Sequence, residues 1–428
     1  MTIAHEILFP LDDPDHIALQ VGAPDKSLLP ADLLQFHSNK TLSSSTASLS
    51  LQYGPSLGSL GFRHRLANWL SQEYNGSPVD PSHLCVTSGA SQSFLNLLTI
   101  FTHSGTRFLI ENPTYFLALR MFQDSGISTD QLIKIPVDDD GIRVDIVQKE
   151  LETLDPVPAS EDHVPGETKR FPFFLFLVPT YSNPTGTSLS VERRQKLIQL
   201  ARKHDMLIVC DDVYQLLHYD NVMPPHRLVS LDLETASPDV HFGNVISNCS
   251  FSKLFAPGMR LGWIEAGQGI IAQLKNAGFL YSGGCANHFV SNVMGSVIES
   301  GDMARHVHRI RGVYQGRRDV MLQVLKAQLN HIYQVSFPQG GYFIWITSGD
   351  KSLDTLKLLQ ALQKGPAYRG VQYDASCPED YKVSFTPGNL FSSDASHGHC
   401  LRLSFGMYGE ADLIKGCERL CKILNKVV

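Results

Sequence analysis

The segment 250–262, with the sequence SFSKLFAPGMRLG, contains residues whose types and spacing indicate a specific chemistry. Lys253 follows Ser250 and Ser252 at the end of an apolar stretch, and Arg260 comes seven residues later. Serine hydroxyls and a guanidinium bind a dianionic phosphate through charge-assisted hydrogen bonds. A nearby cation also lowers the pKa of a lysine, which makes the amine a better nucleophile. The segment therefore predicts an amine that condenses with an aldehyde while its neighbours bind a phosphate.

Polar side chains also follow two other apolar stretches. Asp211 and Asp212 come directly after the run 207–210, where α/β folds position ligand groups. A buried carboxylate needs a cationic partner, which a protonated pyridine nitrogen would supply; a helix N-cap by either aspartate is the alternative. Asn183 follows the run 173–178 and could donate its amide to a phenolate oxygen, although Asn-Pro-Thr-Gly is also an ordinary turn sequence.

Two further segments add complementary groups. Gly89, Ala90 and Ser91 end a short predicted strand and open a helix, where free backbone N–H groups can cradle a phosphate. Tyr115 follows the next predicted strand and could stack on a flat heterocycle, or pack in the core. A phosphate cradle, a stacking ring, an amide, a carboxylate and a lysine together describe a site for pyridoxal 5′-phosphate (PLP).

These groups require a scaffold of alternating strands and helices to position them. Apolar residues at helical spacing predict helices at 58–74 and 94–101 and a long amphipathic helix at 303–329. The pattern predicts an α/β fold with a mainly parallel central sheet, flanking helices and a smaller α+β unit. The predicted strands are 84–87, 107–111, 173–178, 207–210, 245–248, 260–266, 342–346 and 401–404.

Changes in local composition and hydrophobic pattern along the sequence also predict a division into domains. We expect residues 1–50, which contain four prolines and a Ser/Thr-rich run, to form an irregular arm that contributes to the small domain. Residues 51–310 are expected to form the large PLP-binding domain, and residues 311–428 the small C-terminal domain. The polar stretch 155–170 predicts an exposed loop.

Composition excludes several classes of protein. The 428 residues carry a net charge of −6, which disfavours a nucleic-acid-binding domain. The longest apolar stretch, 172–179, is far shorter than the roughly 20 residues that cross a bilayer. The eight cysteines are scattered without zinc spacing, so we expect no metal site and a reducing compartment. With no recognisable targeting signal, we expect a cytoplasmic protein without nucleic-acid or membrane partners.

Eight motifs occur in the same order as in a known family. They are TSGAS, ENPTY, NPTG, DDVY, SFSKLFAPGMRLGW, PQGGYFIW, TPGNLF and LRLSF. From about residue 17 to residue 424, the chain resembles the fold-type I PLP-dependent aminotransferases of class I/II, and most of all their 2-aminoadipate, kynurenine and aromatic subgroup. The resemblance implies a homodimer that moves the amino group of an aromatic, large apolar or 2-aminoadipate-type α-amino acid to a 2-oxo acid such as 2-oxoglutarate.

The resemblance also implies a role for each residue that matches a family motif. Lys253 resembles the lysine that forms the internal aldimine and then moves the proton, and Asp211 resembles the partner of the pyridine nitrogen. Arg402 resembles the clamp for the substrate α-carboxylate. The other matches are Asn183 and Tyr214 at the ring phenolate, Tyr115 as the stacking ring, Gly89, Ala90, Ser91, Ser250 and Arg260 at the phosphate, Gly22 beside the substrate, and Tyr53 reaching the neighbouring subunit's site.

Two alternative functions share parts of this pattern. A PLP-dependent C–S lyase uses all the same cofactor residues, so these residues do not discriminate between lyase and aminotransferase. A non-catalytic aminotransferase-like regulator is disfavoured because Lys253, Asp211 and Arg402 are all present. We also expect no DNA-binding module, because the arm begins within about 20 residues of the first methionine.

Overall fold

The structure is a computed structural model that describes residues 13, 15–75, 77–155, 168–236, 242–363, 365–374, 376 and 378–427. Cys377 and most of the loop predicted at 155–170 lie outside the described residues. The described strands are β1 Ile17–Ala18, β2 Leu84–Thr87, β3 Arg107–Asn112, β4 Leu132–Asp138, β5 Gly141–Ile142, β6 Phe173–Leu177, β7 Met206–Asp211, β8 Val245–Ser250, β9 Gly262–Ala266, β10 Tyr333–Val335, β11 Phe343–Ser348, β12 Val383–Ser384, β13 Thr386–Pro387 and β14 Cys400–Ser404.

Helices cover these strands. In the described part of the chain, none of them has both the length and the apolar character needed to cross a membrane. The α-helices are α1 Ala31–Leu42, α2 Ala47–Ser50, α3 Leu60–Glu73, α4 Ala90–Phe101, α5 Phe116–Asp124, α6 Val144–Thr153, α7 Val191–Lys203, α8 Leu228–Thr235, α9 Gln268–Lys275, α10 Gly278–Gly283, α11 His288–Glu299, α12 Asp302–Gln328, α13 Thr355–Leu362 and α14 Glu410–Lys426.

The central sheet has eight strands in the order β2-β9-β8-β7-β6-β3-β4-β5. Neighbours from β8 to β4 pair in parallel, whereas β9 is antiparallel to both β2 and β8. Every residue of β6, β7 and β8 is buried, because helices cover both faces of the sheet. Strands β2, β3, β6, β7 and β8 therefore run in the same direction and end at the same edge of the sheet. The fold is α/β with a mainly parallel central sheet, as the sequence predicted.

A second, antiparallel sheet with the order β10-β11-β14-β13 lies in the C-terminal part of the chain. Strand β1 pairs in parallel with β12, so the N-terminal arm hydrogen-bonds to this part of the molecule. Helix α12 runs continuously across residue 310. The division of the chain at residues 50 and 310 stays a prediction.

The prediction of an irregular arm was wrong for residues 31–42 and 47–50, which form α1 and α2. The buried side chain of His37 anchors α1, since its ring nitrogens lie 2.9 Å from Ser296 Oγ and 2.9 Å from Asp302 Oδ2. The Ser/Thr-rich run that follows the helix hid it in the sequence. His37 is the only fully buried residue of this helix, so a polar tertiary contact contributes to holding it in place.

Candidate active site

A cavity of about 410 Å³ lies at the edge where the parallel strands end. Eleven of the thirteen predicted site residues line it. These are Gly22, Ala90, Ser91, Tyr115, Asn183, Asp211, Tyr214, Ser250, Lys253, Arg260 and Arg402. The structure thus brings together residues from both ends of the chain and from five strand ends.

Lys253 follows β8 and extends its amine toward the N-terminal arm. Its Nζ donates a hydrogen bond to the backbone carbonyl of Gly22 at 2.5 Å. The Tyr342 hydroxyl donates to the carbonyl of Lys253 at 3.0 Å, which ties the main chain of the lysine to the C-terminal sheet. Burial, with a smaller effect of the Arg402 charge, lowers the pKa of Lys253 to about 8. The amine is therefore a nucleophile and a base close to neutral pH.

Asp211 ends β7 and is 8% exposed, and its Oδ1 has no hydrogen-bond partner among the described residues. Burial raises the pKa of Asp211 to about 7, and the neighbouring charge of Asp212 adds to this effect. Asp212 does not line the cavity, because its Oδ2 accepts a hydrogen bond from Ser247 Oγ at 2.5 Å. Neither aspartate caps a helix, since residues 212–218 are not helical. Asp211 therefore presents an unpartnered carboxyl oxygen that suits a cationic ligand group.

Arg402 is 2% exposed in β14 and has no carboxylate partner among the described residues. Its Nη1 donates to Asn183 Oδ1 at 2.7 Å, while its Nε is buried without a partner. The guanidinium carbon lies 4.0 Å from the centre of the Phe343 ring. Burial lowers the pKa of Arg402 to about 10. A buried cation without a counter-ion is costly, so this position favours an anionic ligand.

The N-terminus of α4 forms one wall of the cavity, through Ala90 and Ser91, and no side chain caps it. Gly89 precedes the helix with φ +92°, a conformation that favours glycine, and a Cβ there would lie 3.4 Å from Arg260 Nη2. Ser250 Oγ would lie 3.7 Å from the same Cβ. Backbone donors, a hydroxyl and a guanidinium thus surround one point, which fits a phosphate group.

Aromatic rings form the remaining walls. Tyr115 is half-buried beside the helix N-terminus, and Tyr214 is almost fully buried. Burial raises the pKa of both hydroxyls, so both tyrosines stay neutral donors. The Tyr214 ring centre lies 5.6 Å from that of Phe343, in an edge-to-face contact. A Cβ on Gly22 would lie 2.9 Å from Phe343 Cζ, so the arm passes this wall in close contact.

The residues present fit PLP. The unpartnered Oδ1 of Asp211 suits a protonated ring nitrogen, and the space beside Gly89 suits the phosphate. Lys253 supplies the amine that an aldehyde requires. Arg402 lies in the same cavity and supplies a cation that can bind the carboxylate of a substrate.

Comparison with known proteins agrees with this geometry. Residues 15–420 match the family model described as aminotransferase class I and II. The chain is 28% identical to aromatic-amino-acid aminotransferase 1 of Thermococcus litoralis, over 98% of this chain and 91% of that protein. It is 27% identical to the mitochondrial kynurenine/alpha-aminoadipate aminotransferase of Rattus norvegicus, over 96% of this chain and 92% of that one. The crystal structure of Pyrococcus horikoshii kynurenine aminotransferase matches with a TM-score of 0.78 at 29% identity, covering 96% of this chain and 91% of that chain.

The fold and the cavity define a fold-type I, PLP-dependent aminotransferase. The chain belongs to the aminotransferase class I and II family, and its cofactor is pyridoxal 5′-phosphate. The predicted family, fold class, cofactor and amino-group transfer are confirmed, and the lyase alternative is not favoured. The role of each site residue stays a prediction.

Two predicted site residues lie outside the cavity wall. Gly89 is one residue away from it, and Tyr53 is 80% exposed on the surface. Sequence reasoning in turn missed Asn248 and Phe343, which both line the cavity. The signal for Asn248 was a polar residue inside the apolar run 245–249, two positions before Ser250.

Proposed function

We propose that this aminotransferase takes the amino group from an aromatic or large apolar α-amino acid and transfers it to a 2-oxo acid such as 2-oxoglutarate. The observation that carries this proposal is the apolar wall of the cavity. Among the described residues that line it, the only cationic side chains are Lys253, Arg260 and Arg402. The apolar part of the wall includes Val21, Phe116, Leu117, Met121 and Phe343.

The three cations have separate tasks in this proposal. Arg260 binds the cofactor phosphate, together with Ser250 and the N–H groups of Gly89, Ala90 and Ser91. Lys253 attaches the cofactor, and Arg402 binds the α-carboxylate. A second carboxylate, on a donor such as 2-aminoadipate or on the acceptor 2-oxoglutarate, would find no further cation along the described wall and would gain nothing from its apolar side chains. An apolar side chain would gain free energy by leaving water for this surface.

The remaining residues orient the cofactor and move a proton. When bound, PLP supplies an aldehyde that accepts the amino group and a ring that stabilises negative charge on the substrate Cα. Asp211 would pair with the protonated ring nitrogen, Asn183 and Tyr214 would donate to the phenolate oxygen, and Tyr115 would stack on the ring. Once it no longer holds the cofactor, Lys253 Nζ would take the proton from the substrate Cα, and burial, which lowers its pKa, favours the neutral amine that this step requires. Gly22 borders the substrate on the arm side.

A panel of amino donors assayed with 2-oxoglutarate tests the proposal. We expect phenylalanine, tyrosine, kynurenine or leucine to give a kcat/KM at least about ten-fold above that of 2-aminoadipate, since only their side chains gain free energy by leaving water for the apolar wall. A higher kcat/KM for 2-aminoadipate would contradict the proposed donor class. Borohydride reduction of the holoenzyme should fix the cofactor to the peptide that contains Lys253, and labelling of another lysine would refute that assignment.

The same preparation tests the lyase alternative. An aminotransferase should release no pyruvate or ammonia from cystathionine when no oxo acid is present. Amino-group transfer that depends strictly on an oxo acid acceptor supports the proposed reaction. Release of pyruvate without an acceptor would instead identify a C–S lyase.

A homodimer with shared sites and a cytoplasmic location complete the proposal. Large apolar side chains are exposed along the first helices, including Phe36, Leu49, Leu51 and Leu60, which suits contact with a second copy of the chain. The exposed Tyr53 lies among them in sequence and would reach the partner's cavity. The seven described cysteines are buried and free, which fits a reducing compartment.

A further inference from the structure

Arg402 depends on the N-terminal arm for its orientation. Its Nη2 donates to the backbone carbonyl of Gln20 at 2.8 Å and to Thr386 Oγ1 at 3.1 Å. These two bonds use both hydrogens of Nη2, and Asn183 Oδ1 accepts one hydrogen of Nη1. The direction in which the guanidinium faces the cavity therefore depends on where the arm places one carbonyl oxygen.

That carbonyl belongs to a turn with a weak backbone hydrogen bond. Val21 N donates to Ala18 O at 3.3 Å, which is longer than most N–H···O bonds. Because a trans peptide is planar, its N–H and C=O point in opposite directions, and the Gln20 carbonyl faces away from Ala18 toward Arg402. The preceding peptide is held by a 2.6 Å backbone hydrogen bond to β14, so the weak contact is confined to the Gln20–Val21 peptide.

The side chain of Gln20 is held more firmly, by a chain of two short hydrogen bonds. Ser384 Oγ donates to Gln20 Oε1 at 2.6 Å, and His16 Nε2 lies 2.7 Å from Ser384 Oγ. A hydroxyl has one hydrogen, so the Ser384 oxygen accepts the hydrogen of His16 Nε2. All three residues are buried, with Gln20 and Ser384 at 2% and 1% exposed, so water does not compete for these bonds.

The segment that holds Gln20 also contacts Arg402 directly. Ser384 ends β12, and Thr386, two residues later, pairs with Arg402 across β13 and β14. The hydroxyl of Thr386 therefore contacts the Arg402 guanidinium directly, and the hydroxyl of Ser384 supports it through Gln20. Gln20 itself does not line the cavity.

We propose that Gln20 is a positioning residue for Arg402, held in place by Ser384 and His16, and that it sets the affinity of the enzyme for the carboxylate of both substrates. This inference rests on the proposed function, in which Arg402 binds the α-carboxylate of the amino donor and of the 2-oxo acid. The role belongs to the arm, because the carbonyl that Arg402 contacts lies three residues beyond Ile17, the start of β1.

The test compares Ser384→Ala with the matched control Ser291→Ala in the full-length holoenzyme. Ser291 is also fully buried, but its hydroxyl donates to the carbonyl of His288 in α11, outside the cavity wall. Ser384→Ala should raise the KM of the best amino donor and that of the 2-oxo acid together, by about five-fold, the effect of one lost hydrogen bond. We expect kcat to change by less than about two-fold and the dissociation constant of PLP to stay the same. Ser291→Ala should leave both KM values unchanged.

A double-mutant cycle separates positioning from general destabilisation. Gln20→Leu and Ser384→Ala break the same hydrogen bond, so the double variant should have the KM values of the worse single variant. Additive effects, unchanged KM values in Ser384→Ala, or equal shifts in Ser291→Ala would overturn the proposal. If the wild-type protein transaminated no donor, both the proposed function and the positioning role of Gln20 would be refuted. An active wild type with unchanged KM values in Ser384→Ala would remove the positioning role alone.

Discussion

Two neighbouring aspartates show how a strand separates residues that are adjacent in sequence. Successive side chains of a strand point to opposite faces. Asp211 therefore lines the cavity, whereas Asp212 contacts Ser247 of the next strand. The unpartnered Oδ1 of Asp211 supports its proposed role as the partner of a cationic ring nitrogen. The same isolation makes Asp211 costly to ionise in the cofactor-free protein.

Asp211→Asn should remove most of the transamination activity and yet stabilise the cofactor-free protein at neutral pH. Burial raises the pKa of Asp211 from its ordinary 3.8 to about 7 in the folded chain. Between these values the folded state binds a proton that the unfolded state lacks, so stability falls as pH rises through this window. From pH 5 to pH 8 the wild type should lose about 3 kcal/mol of unfolding free energy relative to the variant. Urea denaturation of both proteins at the two pH values measures this difference.

Asp212→Asn is the control for this experiment, and it should keep most of the activity. The variant changes a carboxylate that faces Ser247, not the cavity. The opposite ranking, with Asp212→Asn inactive and Asp211→Asn active, would show that the other aspartate serves the cofactor.

Arg402→Lys should raise the KM of every amino donor and oxo acid by on the order of 100-fold, because a lysine keeps the charge but loses the guanidinium N–H groups, among them the Nε–H that has no partner among the described residues. The affinity for PLP should stay close to that of the wild type. Steady-state kinetics and a cofactor titration measure the two quantities. Arg318→Lys is the control, since Arg318 is equally buried but pairs with Asp220 outside the cavity. KM values that remain at the wild-type level in Arg402→Lys would contradict the assigned role.

At the scale of elements, the sequence predicted the strands that carry the site better than the rest of the fold. The apolar runs that became β2, β3, β6, β7 and β8 are continuous, because both faces of these strands are buried. Strand β4 was missed because it lies toward the edge of the sheet and mixes buried positions with Lys134 and Pro136. Helix α1 was missed because its anchor is the polar contact of His37.

Most of the site could be predicted from motifs at these strand ends, but the residues that hold it together could not. Lys253, Asp211 and Arg402 are charged residues within or directly after apolar stretches, and this pattern can be recognised in the sequence alone. The contact between Gln20 and Arg402 spans 382 residues and uses a backbone carbonyl, which no side-chain pattern reveals. Contacts that the arm makes with distant strands exist only once both sheets are formed.

Strand β8 offers a direct test of how an element positions the cofactor. Asn248 is the register partner of Asp211 on β7, and its Nδ2 donates to the Ala90 carbonyl at the N-terminus of α4 at 2.9 Å. Asn248→Ala should weaken PLP binding by about five- to ten-fold, because the helix terminus loses its link to the strand. Titration of the cofactor-free protein with PLP, followed by fluorescence, measures this change.

Asn244 provides the matched control just before the same strand. Its amide is also buried and donates to the carbonyls of Met206 and Ala201, but it does not line the cavity. Asn244→Ala should lower the melting temperature and leave the dissociation constant of PLP unchanged. An equal loss of PLP affinity in both variants would mean that Asn248 acts only through general stability.

At the scale of the whole molecule, the single chain leaves one predicted site residue on the surface, outside the cavity wall. Tyr53 is 80% exposed, and the apolar residues Leu49 and Leu51 close to it are exposed as well. In a symmetric dimer two such arms would be exchanged reciprocally, and each could complete the partner's cavity. The predicted homodimer therefore explains both the exposure of these side chains and the position of Tyr53.

Subunit complementation tests this arrangement. A Lys253→Ala chain mixed with a Tyr53→Phe chain should form hybrid dimers in which one site carries both defects and the other carries neither. Activity should then rise above that of either parent, toward about one quarter of the wild-type value if subunits mix at random. An exchange confirmed by mass spectrometry without any gain in activity would show that each chain builds its own site.

The close packing of Gly22 limits how the substrate preference of this enzyme can evolve. Any side chain at this position would push against the Phe343 ring, and that ring lies between the guanidinium of Arg402 and the ring of Tyr214. A retreat of the ring would press on Arg402 or Tyr214, which we propose bind the α-carboxylate and the cofactor. Substrate preference should therefore change through substitutions at Leu117 or Met121 on α5. A mutational library selected for activity should yield several residue types at these two positions and only glycine at position 22.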